Sequence, residues 1–443
     1  MKKILAILVG LLILSTSLIG CGVSEPVENP SPLPSREEIL PETGKQVHAD
    51  TLATPGKIKK NVIFSDVSED FRQSLWAFAG KTSGAALEAE PYNNSLYSPL
   101  SLYYALAMLE AGAAGGTKED LRTLMAAGDA DIGKELSNLY ALMAGAREGS
   151  IEQVANALWI KEELLANKDE GLKADWLDQM ANHFYASAFA VDFTDPDTSE
   201  KMSRWVEEQT HGKIKPEIDV SDPLLLLVLM NTLYFKAEWI DRFDPDLVNG
   251  PFYGERTMNL EASYLSRLFK QHPAVRTDRF VSTSVQLKSG SIDFILPASG
   301  VSPENLLEDP SFLTDLRKTE PDFYDIDFKL PQFTYKNKIN ILEKMDGLGL
   351  TAMVTDNPDF SAMYEGEIWV DGISQEAFIA LDEKGIEAAS YTEIAMVGSA
   401  PPQETEVIEI HLNRPFIYVI SDQAGAPLFV GIIRNPGVTI MEP

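Results

Sequence analysis

Glu383-Lys384-Gly385-Ile386-Glu387-Ala388-Ala389-Ser390-Tyr391-Thr392-Glu393-Ile394-Ala395-Met396-Val397-Gly398-Ser399 reads as a β-strand that has no sheet of its own. Taken alternately, Ile386, Ala388, Ser390, Thr392, Ile394, Met396 and Gly398 make one uncharged face, and Glu387 and Glu393 fall on the other, as in a half-buried strand. The stretch runs into Gly398-Ser399-Ala400-Pro401-Pro402-Gln403-Glu404-Thr405-Glu406, whose two prolines and polar residues predict an exposed, strand-breaking loop. A segment patterned to enter a sheet thus ends where a protease can reach it.

Further on, Ile410-His411-Leu412-Asn413-Arg414-Pro415-Phe416-Ile417-Tyr418-Val419-Ile420 resembles the signature of the serpin family of protease inhibitors at every position, Asn413, Arg414, Pro415 and Phe416 included. Asp382-Glu383-Lys384-Gly385 followed by Ile386-Glu387-Ala388-Ala389 resembles the serpin hinge, and Pro427-Leu428-Phe429-Val430-Gly431 the family's last core strand. The resemblance runs from about residue 63 to the C-terminus. It implies an α+β serpin fold: three β-sheets with a large central sheet A, about eight to nine helices, and an exposed reactive-centre loop at about 385–407.

Composition agrees with a large exported domain. A chain of 443 residues, 44% of them apolar and 9% aromatic, can bury a substantial core. No fixed-period repeat is present, which excludes solenoids and propellers. Residues 1–20 are expected to be a lipoprotein signal peptide: Lys2 and Lys3 precede the apolar run Ile4–Leu14, and Leu18-Ile19-Gly20-Cys21, which resembles a bacterial lipobox, puts small residues before the only cysteine. Cleavage there would leave Cys21 for acylation, and two or more chains make a stable anchor. The apolar run is shorter than the ~20 residues a bilayer span needs. One cysteine permits no disulfide within the chain.

Loss of Lys2 and Lys3 with the signal takes the formal charge from −30 to −32, which excludes nucleic acid as a partner and serves solubility. Residues 21–60 carry several prolines and no hydrophobic periodicity, which predicts a flexible tether before a domain at 61–443; the alternative is that part of this extension packs on the domain and restrains it. Exported, lipid-anchored to the outer face of the cell membrane or secreted, the chain is expected to act as a monomer.

Within the domain, Phe71, Leu75 and Phe78 predict a helix. Ser98 is placed to cap a second and Pro99 to occupy its first turn, with Leu102–Leu109 apolar nearly all round and therefore buried. Leu224–Phe235 is a continuous apolar run, as in a strand buried on both faces, with the polar Asn231 inside it. The serpin resemblance makes Ser98, Ser101 and Asn231 shutter residues where the sheet opens, and Trp239 a breach residue where insertion begins. Gln375 stands where many serpins have histidine; an amide both donates and accepts and can bridge the same gap.

The function implied is suicide-substrate inhibition of a serine protease. The protease acylates the loop's specificity residue, the cut loop enters the main sheet as a strand, and the covalent acyl complex is trapped. The hinge set for this is Glu383, Gly385, Ile386, Glu387, Ala388, Ala389, Ser390 and Thr392. Ala388, Ala389 and Ser390 are small, and no inward-facing residue is charged; Ile386 is bulkier than the family usually has. Counting from Glu383 as the family does places the reactive bond at Ser399–Ala400, which suits elastase-like or subtilisin-like proteases with small primary pockets. The loop is about five residues longer than is common among serpins, so Met396–Val397 is the alternative bond.

Enzyme constellations are missing from the sequence. His48, His183, His211, His272 and His411 are scattered without metal-ligand spacing, and there is no Gly-x-Ser-x-Gly, Ser-x-x-Lys or phosphate-binding loop. No catalytic residue, metal or cofactor is expected. The competing reading is a noninhibitory serpin-fold surface lipoprotein that acts as a binding protein.

Overall fold

The computed structural model describes residues 50–89, 93–166, 171–220, 222, 225–254, 259–341, 344, 358–368, 370, 374–386 and 406–437. Among them the helices are α1 (Glu69–Ala86), α2 (Pro99–Gly112), α3 (Gly115–Leu124), α4 (Ile132–Met143), α5 (Glu163–Ala166), α6 (Ala174–His183), α7 (Asp197–Gln209), α8 (Pro303–Leu307) and α9 (Phe312–Lys318). The strands are β1 (Asp50–Ala53), β2 (Ser95–Tyr97), β3 (Gly145–Arg147), β4 (Ser150–Lys161), β5 (Ala186–Val191), β6 (Leu227–Glu238), β7 (Val248–Tyr253), β8 (Asn259–Arg276), β9 (Phe280–Leu287), β10 (Gly290–Pro297), β11 (Asp322–Pro331), β12 (Phe333–Asn340), β13 (Ser374–Leu381), β14 (Gly385–Ile386), β15 (Val407–His411), β16 (Phe416–Asp422) and β17 (Pro427–Ile433).

Helix starts follow the sequence chemistry. The Ser68 hydroxyl accepts from the Phe71 amide and caps α1, and the Ser98 hydroxyl accepts from the Ser101 amide at 3.2 Å and caps α2, with Pro99 at its first position. From Leu100 to Leu109, α2 is buried on nearly every side, and it lies between the two sheets with its contacts on β6 and β17. The apolar stripe of α1 packs on it, with Phe71 and Phe78 edge-on to the Tyr103 ring at 5.7 and 5.2 Å.

Two hydrogen-bonded sheets result. One has eight strands, in the order β1-β5-β4-β6-β14-β13-β12 with β3 paired to β4; the other has nine, in the order β15-β11-β8-β9-β10-β16-β17-β2 with β7 paired to β8. The expected second and third sheets are joined into that nine-stranded one because β8, 18 residues long, runs from one into the other. Strands β10, β16 and β17 pair in register through Phe294↔Tyr418 and Val419↔Val430, and the last two are buried on both faces. Phe416 and Tyr418, from the signature stretch, pack there against Phe333 at 6.4 and 5.5 Å.

Two expectations are corrected. The stretch 50–60, expected at the end of a flexible tether, is built into the domain: β1 adds antiparallel to β5 through Asp50↔Ala190 and Thr51↔Phe189. The Gly56 amide donates to the Ala181 carbonyl at 2.8 Å and the Lys59 ammonium to Asn138 Oδ1 at 2.8 Å. A backbone ladder needs no side-chain periodicity, so nothing in the sequence pattern marks it. Among the described residues of the run at 224–235 the strand begins at Leu227, and over Leu227–Asn231 it is half-buried, not buried on both faces. That part of β6 lines a cavity of about 590 Å³ with Leu102, Met202, Ile341 and Gln375. Among the described residues β6 and β13 share no ladder; β14 alone connects them.

Candidate functional site

The site is the upper end of the eight-stranded sheet, where two residues of the hinge are already seated. Ile386 pairs antiparallel with Ala237 of β6 on one side and with Leu381 of β13 on the other. Its side chain is buried on the same side as Ala237, so its extra bulk is accommodated in the apolar core. Gly385 is extended at a positive φ of 150°, and a Cβ there would stand 2.3 Å from the Ala237 carbonyl oxygen; only glycine allows β6 to come this close.

A turn fixes the two residues in place. Asp382 Oδ1 accepts from the amides of Lys384 at 2.8 Å and Gly385 at 3.1 Å, and the Asp382 amide donates to the Gly385 carbonyl at 2.9 Å. Trp239 clasps this turn from β6's end: its indole Nε1 donates to the Asp382 carbonyl at 3.0 Å and its amide to the Lys384 carbonyl at 3.0 Å. Glu383 receives the Phe243 amide on its carbonyl at 3.2 Å and the Gln332 side-chain amide on Oε2 at 3.2 Å. Behind it Glu238 is buried and holds Arg242 and Lys288, each at 3.0 Å.

Lower down, polar groups form two arms, the first of which bridges the two sheets. The Ser98 hydroxyl donates to the Leu428 carbonyl of β17 at 2.7 Å, while the Gln375 side chain on β13 accepts from the Ser98 amide at 2.7 Å and donates to its carbonyl at 2.9 Å. This glutamine uses both halves of its amide on one residue's backbone. In the second arm the Ser101 hydroxyl donates to Asn231 Oδ1, Asn231 Nδ2 donates to Asn156 Oδ1 at 2.7 Å, and Asn156 Nδ2 donates to the Phe184 carbonyl at 2.6 Å. The arm thus ties α2, β6 and β4 together. Asn156, 1% exposed, is the member that sequence reasoning missed; its one signal is a lone amide in the apolar run Val154–Ile160.

Beside these strands lies a buried acid pair. Glu152 of β4, opposite Phe235 of β6, is 1% exposed and neither carboxylate oxygen has a hydrogen-bond partner among the described residues. Burial, then the nearby Asp422 carboxylate, pushes its pKa up to about 8. Burial likewise raises Asp422 to about 6, against the pull of the backbone amides of Ala426, Ala424 and Gly425. The Arg147 guanidinium stands 3.9 Å from Glu152, too far for a hydrogen bond.

At the other end of the loop, Asn413 accepts the Tyr253 amide on its carbonyl at 2.7 Å, Arg414 donates Nη2 to the Pro297 carbonyl at 2.8 Å, and Pro415 leads into β16. The reactive bond Ser399–Ala400, its alternative Met396–Val397, and Glu387, Ala388, Ala389, Ser390 and Thr392 lie outside the described residues, as does Cys21. Of the sequence-assigned set, the structure brings Glu383, Gly385, Ile386 and Trp239 together at the top of the sheet, and Ser98, Ser101, Asn231 and Gln375 together at its middle. Among the described residues no three His, Cys, Asp or Glu side chains are grouped to hold a metal, and no helix is long and apolar enough to cross a membrane.

Gly385 and Ile386 thus lie in the large sheet between β6 and β13. The family model described as Serpin (serine protease inhibitor) matches residues 73–436. The chain belongs to the serpin family, whose members generally inhibit serine proteases and are not enzymes. It is 28% identical over 357 residues to an uncharacterized serpin-like protein of Thermococcus kodakarensis, covering 78% of this chain and 81% of that protein. To Serpin-Z1A of Triticum aestivum it is 28% identical over 373 residues, with 78% and 90% covered. The native state of the thermophilic serpin tengpin superposes with a TM-score of 0.73 at 24% identity, over 87% of this chain and 99% of that one, a likeness of fold.

Proposed function

We propose that this chain is a suicide-substrate inhibitor of serine proteases with small primary pockets, exported and held at the membrane through lipidated Cys21, acting as a monomer. The observation that carries the reading is the seating of Gly385–Ile386 between β6 and β13, directly above strands that share no ladder among the described residues. A loop continuing from Ile386 would run between β6 and β13, and each residue that enters would gain ladder bonds on two strands. Strand addition of this kind is already known for serpins.

The chemistry belongs to the protease. Its serine oxygen bonds to the carbonyl carbon of Ser399, the bond to the Ala400 nitrogen breaks, the amine leaves with the proton that the protease histidine took from the serine, and an ester remains. Insertion from the hinge then carries that ester along the sheet before water can hydrolyse it. This chain's own groups supply the guide: Trp239 and Asp382 hold the turn, Gly385 allows close approach, and the Ser98–Gln375 and Ser101–Asn231–Asn156 arms act as the shutter that keeps β6 and β13 poised.

Mixing the chain freed of residues 1–20 with pancreatic elastase and with subtilisin tests this. An SDS-resistant complex, with a released fragment beginning at Ala400, is expected. Cleavage in the loop by both enzymes without any complex, and without a rise in thermal stability, would overturn inhibition and favour the binding-protein reading.

A further inference from the structure

Three hairpin turns meet at the hinge end of the eight-stranded sheet: Glu148-Gly149 between β3 and β4, Lys288-Ser289 between β9 and β10, and Gln423 to Ala426 between β16 and β17. Main-chain bonds link them. The Glu238 amide donates to the Gly149 carbonyl at 2.9 Å, the Lys288 amide donates to the Glu238 carbonyl at 2.9 Å, and Gly290 pairs with Asp422 across β10 and β16. Ser150 and Ile386 both pair with Ala237, which puts these turns level with the seated hinge.

Where the turns meet, three side chains carry oxygens with no hydrogen-bond partner among the described residues: both carboxylate oxygens of Glu152, Oδ2 of Asp422 and the Ser289 hydroxyl. None of the three residues is more than 4% exposed. Asp422 and Ser289 are the neighbours that act on the Glu152 carboxyl, so these oxygens lie near one another without bonding one another. Buried acceptors left in this way are costly, and a native fold supplies them with a partner. Neighbouring basic side chains are engaged elsewhere. Arg242 and Lys288 pair with Glu238, each at 3.0 Å, and Arg147, 3.9 Å from Glu152, donates to the Leu142 carbonyl.

All of these atoms are oxygens able to accept, which is the donor set of a hard cation. Oxygens on one calcium ion lie about 2.3–2.6 Å from it and therefore roughly 3–5 Å from each other, close without hydrogen-bonding among themselves. Magnesium, which demands a near-ideal octahedron, suits an irregular set drawn from three turns less well. No sequence spacing marks such a site, because its residues come from turns far apart in the chain.

We propose that Glu152, Asp422 and Ser289 form a site for one calcium-sized, oxygen-liganded divalent cation, completed by water, which rivets β4 of one sheet to β16 of the other beside the hinge. The test uses the chain freed of residues 1–20. It is stripped with EDTA, incubated with calcium chloride or with magnesium chloride at one ionic strength, and melted at pH 8; a portion is desalted and assayed for bound metal. Wild type should retain about one calcium per chain and melt about 3 °C higher with calcium at about a hundred times its dissociation constant, with a smaller rise in magnesium. Glu152→Gln and Ser289→Ala should each retain calcium at least about ten-fold more weakly. Glu152→Gln should melt no lower than stripped wild type in EDTA, which shows that its fold is intact. Wild type that retains no calcium and does not shift overturns the site, leaving the acids to a proton and water. Equal retention by wild type and both variants overturns it too, because a chain with a formal charge of −30 can hold calcium on its surface without these residues.

Discussion

Replacing Glu152 by glutamine should flatten the dependence of stability on pH. In the folded chain this carboxyl titrates at about 8, against 4.5 for the free side chain, because it is buried beside Asp422. A pKa raised on folding means that the folded state holds its proton more tightly than the unfolded one. The associated stability is fully present below about pH 4.5 and is lost as pH rises through about 8. At 1.36 kcal/mol for each tenfold change, the full swing has a ceiling of ~5 kcal/mol. A folded chain of roughly 390 residues has an unfolding entropy near 0.8 kcal/mol/K, so the swing corresponds to ~6 °C in melting temperature. Calorimetry at one scan rate from pH 5 to 9 reads it directly. Wild type should lose several degrees relative to Glu152→Gln between these limits, the two curves meeting near pH 5, since glutamine keeps the protonated acid's shape without its second charge state. The Arg147 guanidinium, 3.9 Å away, opposes only part of the effect. Parallel curves for the two proteins across the whole range would refute the argument, because they would mean that Glu152 titrates as an ordinary carboxyl.

Three further outcomes are expected. Gly385→Val drives a side chain into the Ala237 carbonyl, so the hinge should leave its seat: the Trp239 indole loses the Asp382 carbonyl, its fluorescence shifts to the red, and covalent complex gives way to plain cleavage; unchanged fluorescence counts against the seating. Asn156→Ala leaves the Asn231 amide and the Phe184 carbonyl without partners and should cost about 2 kcal/mol or more in denaturant unfolding, whereas a loss under about 0.5 kcal/mol would remove Asn156 from the bridging arm. A chain beginning at residue 57 lacks β1 and should melt several degrees below one beginning at residue 22; equal melting points would show that the β1–β5 ladder contributes nothing.

Much of this architecture is legible where side chains alone decide it. Ser98-Pro99 announces a helix start and Leu102–Leu109 a buried helix, since capping and burial are local properties. Gln375 is legible as a bridge because an amide has both a donor and an acceptor. Asn156 and Glu152 are not, because their meaning lies in what the fold brings opposite them: Asn231 across the β4–β6 ladder in one case, Asp422 from a distant strand in the other. β1 is silent for a different reason. Its side chains are mostly exposed, and what holds it is main chain, which every sequence shares.

That backbone ladder has a consequence for how molecules of this protein meet one another. β5, Ala186–Val191, is a short run of small and apolar residues, all six buried. Stripped of β1 it would end the large sheet with unpaired amides and carbonyls in a setting with no charge and no proline to repel a partner. Such an edge invites a strand from a second molecule, and repetition of that event makes a fibre. β1 fills the position from within the same chain, with Asp50 placing a negative charge at the new outer rim. On the proposed mechanism, a sheet that admits a strand at its centre is thereby kept closed to its own kind at its far edge.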